Sequence, residues 1–153
     1  MTKSSDFKVL SDAEHMLMRP GMYIGSTIAE PISGVFGAKY STVNVVPGLL
    51  KVINEIIDNS VDEFIRTGGK YATKIDVTVD QSPVDSLCVS VTDNGRGLPQ
   101  GMAGDVPIAV AAWTKARSGS NFTDDRTTIG MNGVGSFATA VFSSKFIGAT
   151  HIE

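Results

Sequence analysis

The sequence predicts an α+β fold in which helices pack on a mostly antiparallel sheet as a two-layer sandwich. Three patterns indicate this architecture. Residues 46–67 carry apolar side chains at helical spacing. Two segments of alternating apolar residues, 71–79 and 87–91, flank a turn-forming segment and predict a strand pair. Shorter helices are predicted at 107–116 and 137–141, so helices and hairpin strands occur together in one chain.

Size and composition indicate one globular domain. The chain has 153 residues, of which 42% are hydrophobic, which is enough for a single core. No apolar stretch approaches the ~20 residues that cross a bilayer, and the N-terminus lacks the apolar stretch of a secretory signal. We therefore expect a cytoplasmic protein with no membrane partner.

Charge and cysteine content exclude two further classes of site. The net charge is −3 and the basic residues are scattered among the acidic ones, so this segment is not predicted to hold DNA by itself. The single cysteine, Cys88, excludes a disulfide framework and has no metal-ligand spacing. It is predicted to lie within a strand as a small thiol in the core or half-buried, rather than as a nucleophile.

The first elements are predicted from local signals. Residues 1–10 are expected to form a short arm ahead of a domain at 11–153. Ser11 and Glu14 have the spacing of a capping box, which predicts a helix start. That helix should end before Pro20, because proline disfavours helical geometry in the residue ahead of it. Residues 28–45 are predicted to be a loop or a short hairpin.

The long helix is predicted to begin at Pro47, where a missing amide hydrogen is tolerated, and to end near Thr67 ahead of a glycine pair. One of its faces is apolar, with Leu49, Val52, Ile53, Ile56, Ile57, Val61, Phe64 and Ile65. A narrow polar stripe carries Glu55, Asn59, Asp62 and Arg66. Such a stripe is suited to water, metal and phosphate, although amphipathic helices more often have a plain solvated face.

Later elements are predicted in the same way. Ile75, Val77 and Val79 share one face of a strand, and a return strand ends at Asp93. Trp113 is expected to pack on the helix at 107–116. Residues 145–152 are predicted to start another strand; since little sequence follows it, we expect the fold to be incomplete at the C-terminus.

The segment Asp93-Asn-Gly-Arg-Gly97 follows the return strand. A carboxylate there could accept a hydrogen bond from the exocyclic amine of adenine, while the glycines let the backbone approach a flat ring. The alternative is a tight turn, because Asp-Asn-Gly is a common turn sequence. Both interpretations remain open from the residues alone.

The segment Gly130-Met-Asn-Gly-Val-Gly135 leads into a helix. Glycines expose backbone amides, and a helix N-terminus adds partial positive charge, so phosphate oxygens would fit. By itself a glycine triplet is weak support, since it is neither the dinucleotide fingerprint nor a P-loop. The polar residues 117–129 ahead of it are long enough to fold over a ligand as a lid.

The long helix supplies the chemistry that the two glycine motifs lack. Glu55 could orient and deprotonate a water molecule for attack on a terminal phosphate. Asn59 could offer its amide oxygen to Mg²⁺, which prefers oxygen ligands. The three sites together predict a pocket for Mg-ATP.

These motifs resemble the ATPase region of type IIA DNA topoisomerases, within the wider superfamily of gyrase, histidine kinases and MutL that shares the Bergerat (GHKL) ATP-binding fold. The superfamily likeness rests on Glu55 to Glu63, Asp93 to Pro99 and Gly130 to Gly135. The segment Arg19-Pro-Gly-Met-Tyr-Ile-Gly25 narrows it to topoisomerases. Val46-Pro47-Gly48 and Ser120-Asn121-Phe122 are similar to the eukaryotic and T-even-phage large-subunit versions, more than to bacterial gyrase.

The resemblance implies roles residue by residue. Glu55 would be the general base and Asn59 the Mg²⁺ ligand, with Asp93 as the adenine anchor. Arg96 and Pro99 match the rim where aminocoumarins bind in bacterial relatives. The whole nucleotide-binding set implied is Asn59, Asp62, Glu63, Asp93, Gly95, Arg96, Gly97, Pro99, Gly130, Met131, Asn132, Gly133, Val134 and Gly135.

It also implies an activity for the complete enzyme. ATP would close two such domains into a dimer gate that captures DNA. Tyr23 and the arm are expected at the dimer contact, although packing alone would also explain Tyr23. The transducer domain, whose lysine reaches the γ-phosphate, and the DNA-cleavage domain are not in this sequence, so other topoisomerase subunits or segments are expected partners. A non-hydrolysing binding module is the alternative. A histidine kinase shares the superfamily motifs, but Met22-Tyr-Ile-Gly25 argues against it.

Overall fold

The computed structural model describes residues 7–82, 86–118, 129 and 133–151. Within these residues the fold has helices α1 (Asp12–Met18), α2 (Pro47–Arg66), α3 (Ile108–Thr114) and α4 (Gly135–Phe142). The strands are β1 (Glu30–Phe36), β2 (Lys39–Val45), β3 (Ile75–Asp80), β4 (Cys88–Asp93), β5 (Met102–Ala103) and β6 (Val106–Pro107). They form three antiparallel pairs, β1–β2, β3–β4 and β5–β6. The predicted α+β class is confirmed.

The capping signal of α1 is confirmed. The Glu14 backbone amide donates to the Ser11 hydroxyl, and the Ser11 amide donates to the Glu14 carboxylate, which completes the capping box. The helix ends at Met18, one residue before Arg19, as the following proline requires. A single 3₁₀ turn at Pro20–Met22 then redirects the chain.

The bounds of α2 are confirmed as well. Pro47 lies in its first turn. Thr67 caps its C-terminus and donates its hydroxyl to the Glu63 carbonyl over 2.8 Å. Gly68 then adopts a φ of +61°, a left-handed conformation that glycine tolerates best.

The apolar face of α2 is only partly covered. Val52 is buried, but Leu49, Phe64 and Ile65 are all at least 39% exposed. The apolar face therefore remains partly exposed at both ends of the helix. α4 packs against α2, and strands β3 and β4 also contact this helix.

The strand registers match the alternation in sequence. Val77 pairs with Val91 and Val79 with Val89 across β3–β4, so apolar residues face each other on one side. The segment at 28–45 is a hairpin, β1–β2, which agrees with one of the two predicted forms. Cys88 corrects a prediction: it is the first residue of β4 and exposed, rather than a half-buried thiol within the strand.

The predicted strand at 145–152 is wrong over residues 145–151, which are irregular. Aromatic packing holds this segment instead. The rings of Trp113 and Phe146 meet edge to face with centroids 6.4 Å apart, and the Trp113 indole lies directly against Gly148. Most of the predicted lid, 119–128, lies outside the described residues.

The core lies where α1, α2 and α4 meet. Met16, Ile24, Val52 and Ala138 form its buried cluster. The buried Thr139 hydroxyl donates to the Val52 carbonyl over 2.9 Å, which ties α4 to α2. Within the described part of the chain, none of the helices is both long and apolar enough to cross a bilayer.

The assignment of the core predicts that alanine substitutions at the adjacent residues Met16 and Leu17 change the free energy of unfolding by different amounts. Met16 is 1% exposed and Leu17 is 58% exposed. Met16→Ala should lower the free energy of unfolding by about 2–5 kcal/mol, because it leaves a cavity between the three helices. Leu17→Ala should change it by less than about 0.5 kcal/mol. Urea denaturation followed by circular dichroism measures both, and equal losses would place the core elsewhere.

Candidate functional site

The polar stripe of α2 faces one side of the helix. At 100° per residue, Glu55, Asn59, Asp62, Glu63 and Arg66 fall within a sector of about 100°. Their environments differ: Asn59 is exposed, whereas Asp62 is only 5% exposed. Three separate segments of the chain contact this stripe or the residues beside it. The predicted site residues therefore come together at this side of α2.

The carboxylate of Asp93 ends β4 and is held from two sides. Its Oδ2 accepts a hydrogen bond of 2.5 Å from the buried Ser60 hydroxyl on α2. Its Oδ1 accepts one of 2.8 Å from the Gly95 amide, so the predicted tight turn is present. The turn does not exclude the predicted anchor, because a carboxylate has about four acceptor positions and two remain.

The rest of the turn is fixed by Asn94. Its side-chain oxygen accepts from the Lys74 amide over 2.8 Å, and its side-chain nitrogen donates to the Thr73 hydroxyl over 2.9 Å. The turn is therefore bound to the segment that enters β3 as well as to α2. Asp93 consequently has a defined direction relative to α2.

Glu63 and Arg96 join the end of α2 to the same turn. Arg96 donates to the Glu63 carboxylate from Nε over 2.6 Å and from Nη2 over 3.2 Å. These bonds, with a further contribution from Arg66, outweigh burial and lower the pKa of Glu63 from 4.5 to about 2. The Arg96 guanidinium also lies over the Tyr71 ring, 5.6 Å from its centroid.

Gly97 and Pro99 differ in their surroundings. Gly97 has a φ of +73°, and a Cβ atom there would overlap the His151 carbonyl. Gly97 therefore lies directly against the segment that contains His151. The Thr150 hydroxyl in that segment also accepts a 2.7 Å hydrogen bond from the Leu98 amide. Pro99 is exposed.

The first turn of α4 meets the middle of α2. A Cβ atom at Gly135 would overlap the Glu55 carboxylate, so glycine is required for this approach. The next residue, Ser136, accepts a hydrogen bond of 2.9 Å from Asn59 Nδ2. The predicted general base and the predicted metal ligand therefore both lie against the helix start that was predicted to receive phosphate.

The remaining residues of the glycine motif divide into three groups. Val134 packs against the core cluster, and Gly133 precedes it with a positive φ of 60°. Gly130, Met131 and Asn132 lie outside the described residues. The residue before the motif is described: the Ile129 amide donates to Asp62 Oδ1 over 2.6 Å, which ties Ile129 to α2.

The acidic groups of the stripe influence one another. Lys51 forms an ion pair with Glu55, which lies one helical turn later on α2. Burial, and next the Glu55 carboxylate, raise the pKa of Asp58 above its ordinary value, with Asp62 adding to the effect and Lys51 opposing it. In the described part of the chain, no three His, Cys, Asp or Glu side chains are grouped so that they could hold a metal ion.

Sequence reasoning missed four residues that shape this site: Ser60, Lys51, Ser136 and Tyr71. Lys51 could have been found, because opposite charges four residues apart on a helix attract. Ser60 lies beside the stripe rather than in it, and its role depends on a partner 33 residues away. Ser136 and Tyr71 likewise act through partners on other elements.

The chain is similar in sequence to known proteins. Residues 44–148 match the family model of the histidine kinase-, DNA gyrase B-, and HSP90-like ATPases. The chain is 50% identical to the DNA topoisomerase large subunit of Enterobacteria phage T4, over 95% of this chain and 29% of that protein. It is 33% identical to DNA topoisomerase 2 of Penicillium chrysogenum, over 94% of this chain and 9% of that protein.

A solved structure is similar over most of the chain. The ATPase region of Saccharomyces cerevisiae topoisomerase II superposes with a TM-score of 0.75 and 26% identity, covering 92% of this chain and 39% of that one. The same region bound to ICRF-187 (dexrazoxane) has the same score and coverage. The chain thus spans well under half of the relatives and structures that it matches.

The Glu63–Arg96 contact predicts a pH dependence of stability. The folded pKa of Glu63 is about 2, below its ordinary 4.5. The stabilisation is therefore full above about pH 4.5 and is lost as the pH falls towards 2. At neutral pH we expect roughly 1–3 kcal/mol, because the half-exposed Arg96 is screened by solvent.

Urea denaturation between pH 6 and 3 tests this dependence. Wild type should lose more stability across that range than Glu63→Gln, which cannot take up the proton. Asp76→Asn is the control, since Asp76 forms only an exposed pair with Lys74. Parallel pH profiles for wild type and Glu63→Gln would contradict the assignment.

Proposed function

The chain belongs to the family of histidine kinase-, DNA gyrase B-, and HSP90-like ATPases, and we propose that it binds Mg-ATP as the ATP-binding part of an ATP-dependent type II DNA topoisomerase large subunit. One observation carries the proposal. A single helix, α2, contacts both the Asp93 turn, through Ser60, and the first turn of α4, through Asn59. Adenine, metal and phosphate groups would therefore bind along one helix.

The purine end of the pocket is assigned to Asp93. Ser60 and the Gly95 amide hold its two oxygens in place, which leaves acceptor positions for an exocyclic amine. The Glu63–Arg96 pair keeps the turn against α2, so the carboxylate is positioned before the nucleotide arrives. Preorganised acceptors cost less on binding than mobile ones.

Asn59 fits the role of a magnesium ligand. Its Nδ2 is used by Ser136, and among the residues that the structure describes none donates a hydrogen bond to Oδ1. An amide oxygen is a ligand that Mg²⁺ accepts, and this ion takes few protein ligands when phosphates and water supply the others. When bound, Mg²⁺ would neutralise charge on the phosphates.

Glu55 is assigned as the general base. Its carboxylate lies at the first turn of α4, one helical turn from Asn59 on the same stripe. From there it could accept a proton from a water molecule that attacks the terminal phosphate. Lys51 pairs with the same carboxylate and limits where it can point.

The remaining parts of the function concern the complete protein. We propose that nucleotide binding closes a homodimer gate around DNA, that DNA contacts other segments of the enzyme or other subunits, and that the protein acts in the host cytoplasm. The support is the similarity to the phage T4 large subunit. The alternative, a module that binds but does not hydrolyse ATP, predicts no turnover even when the downstream polypeptide is supplied.

The adenine assignment predicts that Asp93→Asn weakens binding of a non-hydrolysable ATP analogue by at least about 100-fold, because an acceptor facing the amine is replaced by a donor. Isothermal titration calorimetry measures the affinity. The matched control is Asp80→Asn: Asp80 also ends a strand and accepts from the amide two residues on, at 2.8 Å. Unchanged affinity in Asp93→Asn would refute the assignment.

The general-base assignment predicts a separation of binding from turnover. Glu55→Ala should keep the analogue affinity within about threefold and lower ATP hydrolysis about 100- to 10,000-fold in the complete enzyme. Phosphate release and calorimetry on the same preparation measure the two quantities. Asp105→Ala, which removes an exposed carboxylate in the β5–β6 turn, should change neither. Full turnover in Glu55→Ala would exclude Glu55 as the base.

A further inference from the structure

We propose that Ser136 is a positioning residue, which orients the Asn59 amide so that its oxygen faces the metal. This inference rests on the proposed function, since it assumes that Asn59 binds Mg²⁺. An asparagine amide has one donor end and one acceptor end. Only the acceptor end can coordinate a cation, so the direction of the amide decides whether Asn59 is a ligand.

In the structure, the Asn59 amide has the direction that metal binding needs. Asn59 Nδ2 donates to the Ser136 hydroxyl oxygen over 2.9 Å. With the nitrogen so engaged, Oδ1 is the end left for a metal.

Packing between α2 and α4 holds the two residues of this hydrogen bond together. The buried Thr139 hydroxyl, one turn along α4 from Ser136, donates to the Val52 carbonyl over 2.9 Å. Gly135, the residue before Ser136, lies directly against the Glu55 carboxylate. Contacts on both sides of Ser136 therefore fix its distance from α2. The Ser136 hydroxyl is held within hydrogen-bonding distance of the Asn59 amide.

Ser136 also lies close to the predicted phosphate site. Ser136 is the second residue of α4, directly after the glycine-rich segment. The first amides of a helix lack partners within the helix and favour anions. A hydroxyl at this point joins the metal ligand to the helix start that would receive the phosphates.

The test measures how much Mg²⁺ strengthens nucleotide binding. The affinity for a non-hydrolysable ATP analogue is determined by calorimetry with saturating Mg²⁺ and with EDTA. In Ser136→Ala the strengthening by Mg²⁺ should fall about 10-fold, the usual effect of losing a partner that orients a metal ligand. The EDTA affinity should stay within about twofold of wild type. Ser143→Ala, at the end of the same helix, is the control and should change neither value.

A second pair of variants separates orientation from packing. Ser136→Thr keeps the hydroxyl and should restore the Mg²⁺ effect, whereas Ser136→Val has nearly the same shape and should not. The side-chain amide of Asn59, followed by ¹⁵N NMR, should shift in the Ala and Val variants and remain near its wild-type position in the Thr variant. This spectrum does not depend on turnover, and it is recorded on folded protein.

The outcomes distinguish this inference from the proposed function. Absence of any Mg²⁺ effect in wild type, or an unchanged effect in Asn59→Ala, would reject the metal assignment itself. A wild-type Mg²⁺ effect that persists in Ser136→Ala and Ser136→Val would overturn the role of Ser136 alone. Equal losses with Mg²⁺ and with EDTA would also overturn it, because they would show a purely structural residue.

Discussion

The polar stripe of α2 is the constraint on which the rest of the site depends. Asn59 holds the first turn of α4, Ser60 holds the Asp93 carboxylate, and Asp62 holds the backbone at residue 129. These partners are far apart in sequence, and one rigid helix sets their spacing. A register change of one residue would rotate the stripe by about 100° and separate all three contacts at once.

Charge on the stripe explains why a cation belongs to the proposed ligand. Four carboxylates lie on α2, at Glu55, Asp58, Asp62 and Glu63. Lys51 compensates the first and Arg96 the last, while burial and neighbouring carboxylates raise the pKa of Asp58. A triphosphate entering beside these groups would meet charge of its own sign. A bound divalent cation removes that repulsion, and the amides at the start of α4 add to the attraction.

The glycines of the Asp93–Gly97 and Gly130–Gly135 segments have a steric role in addition to the role predicted from the sequence. Sequence reasoning assigned them to exposed amides and sharp turns. In the fold, Gly135 makes room for the Glu55 carboxylate and Gly97 for the His151 carbonyl. A Cβ atom at Gly95 would lie 2.7 Å from Asp93 Oδ1. Each glycine therefore lets a functional or neighbouring group approach the backbone, which a side chain would prevent.

The sequence by itself determined the elements whose signals are local: the capping box at Ser11, the bounds of α2, and the pairing of β3 with β4. Periodicity and capping act within a few residues, so they can be read from a short window. Only the tertiary structure decided the contacts that build the site. Ser60 meets Asp93 across 33 residues and Asn59 meets Ser136 across 77, and no local pattern encodes such a pairing. The irregular segment at 145–151 was mispredicted for the same reason, because packing against Trp113, rather than its alternating residues, sets its conformation.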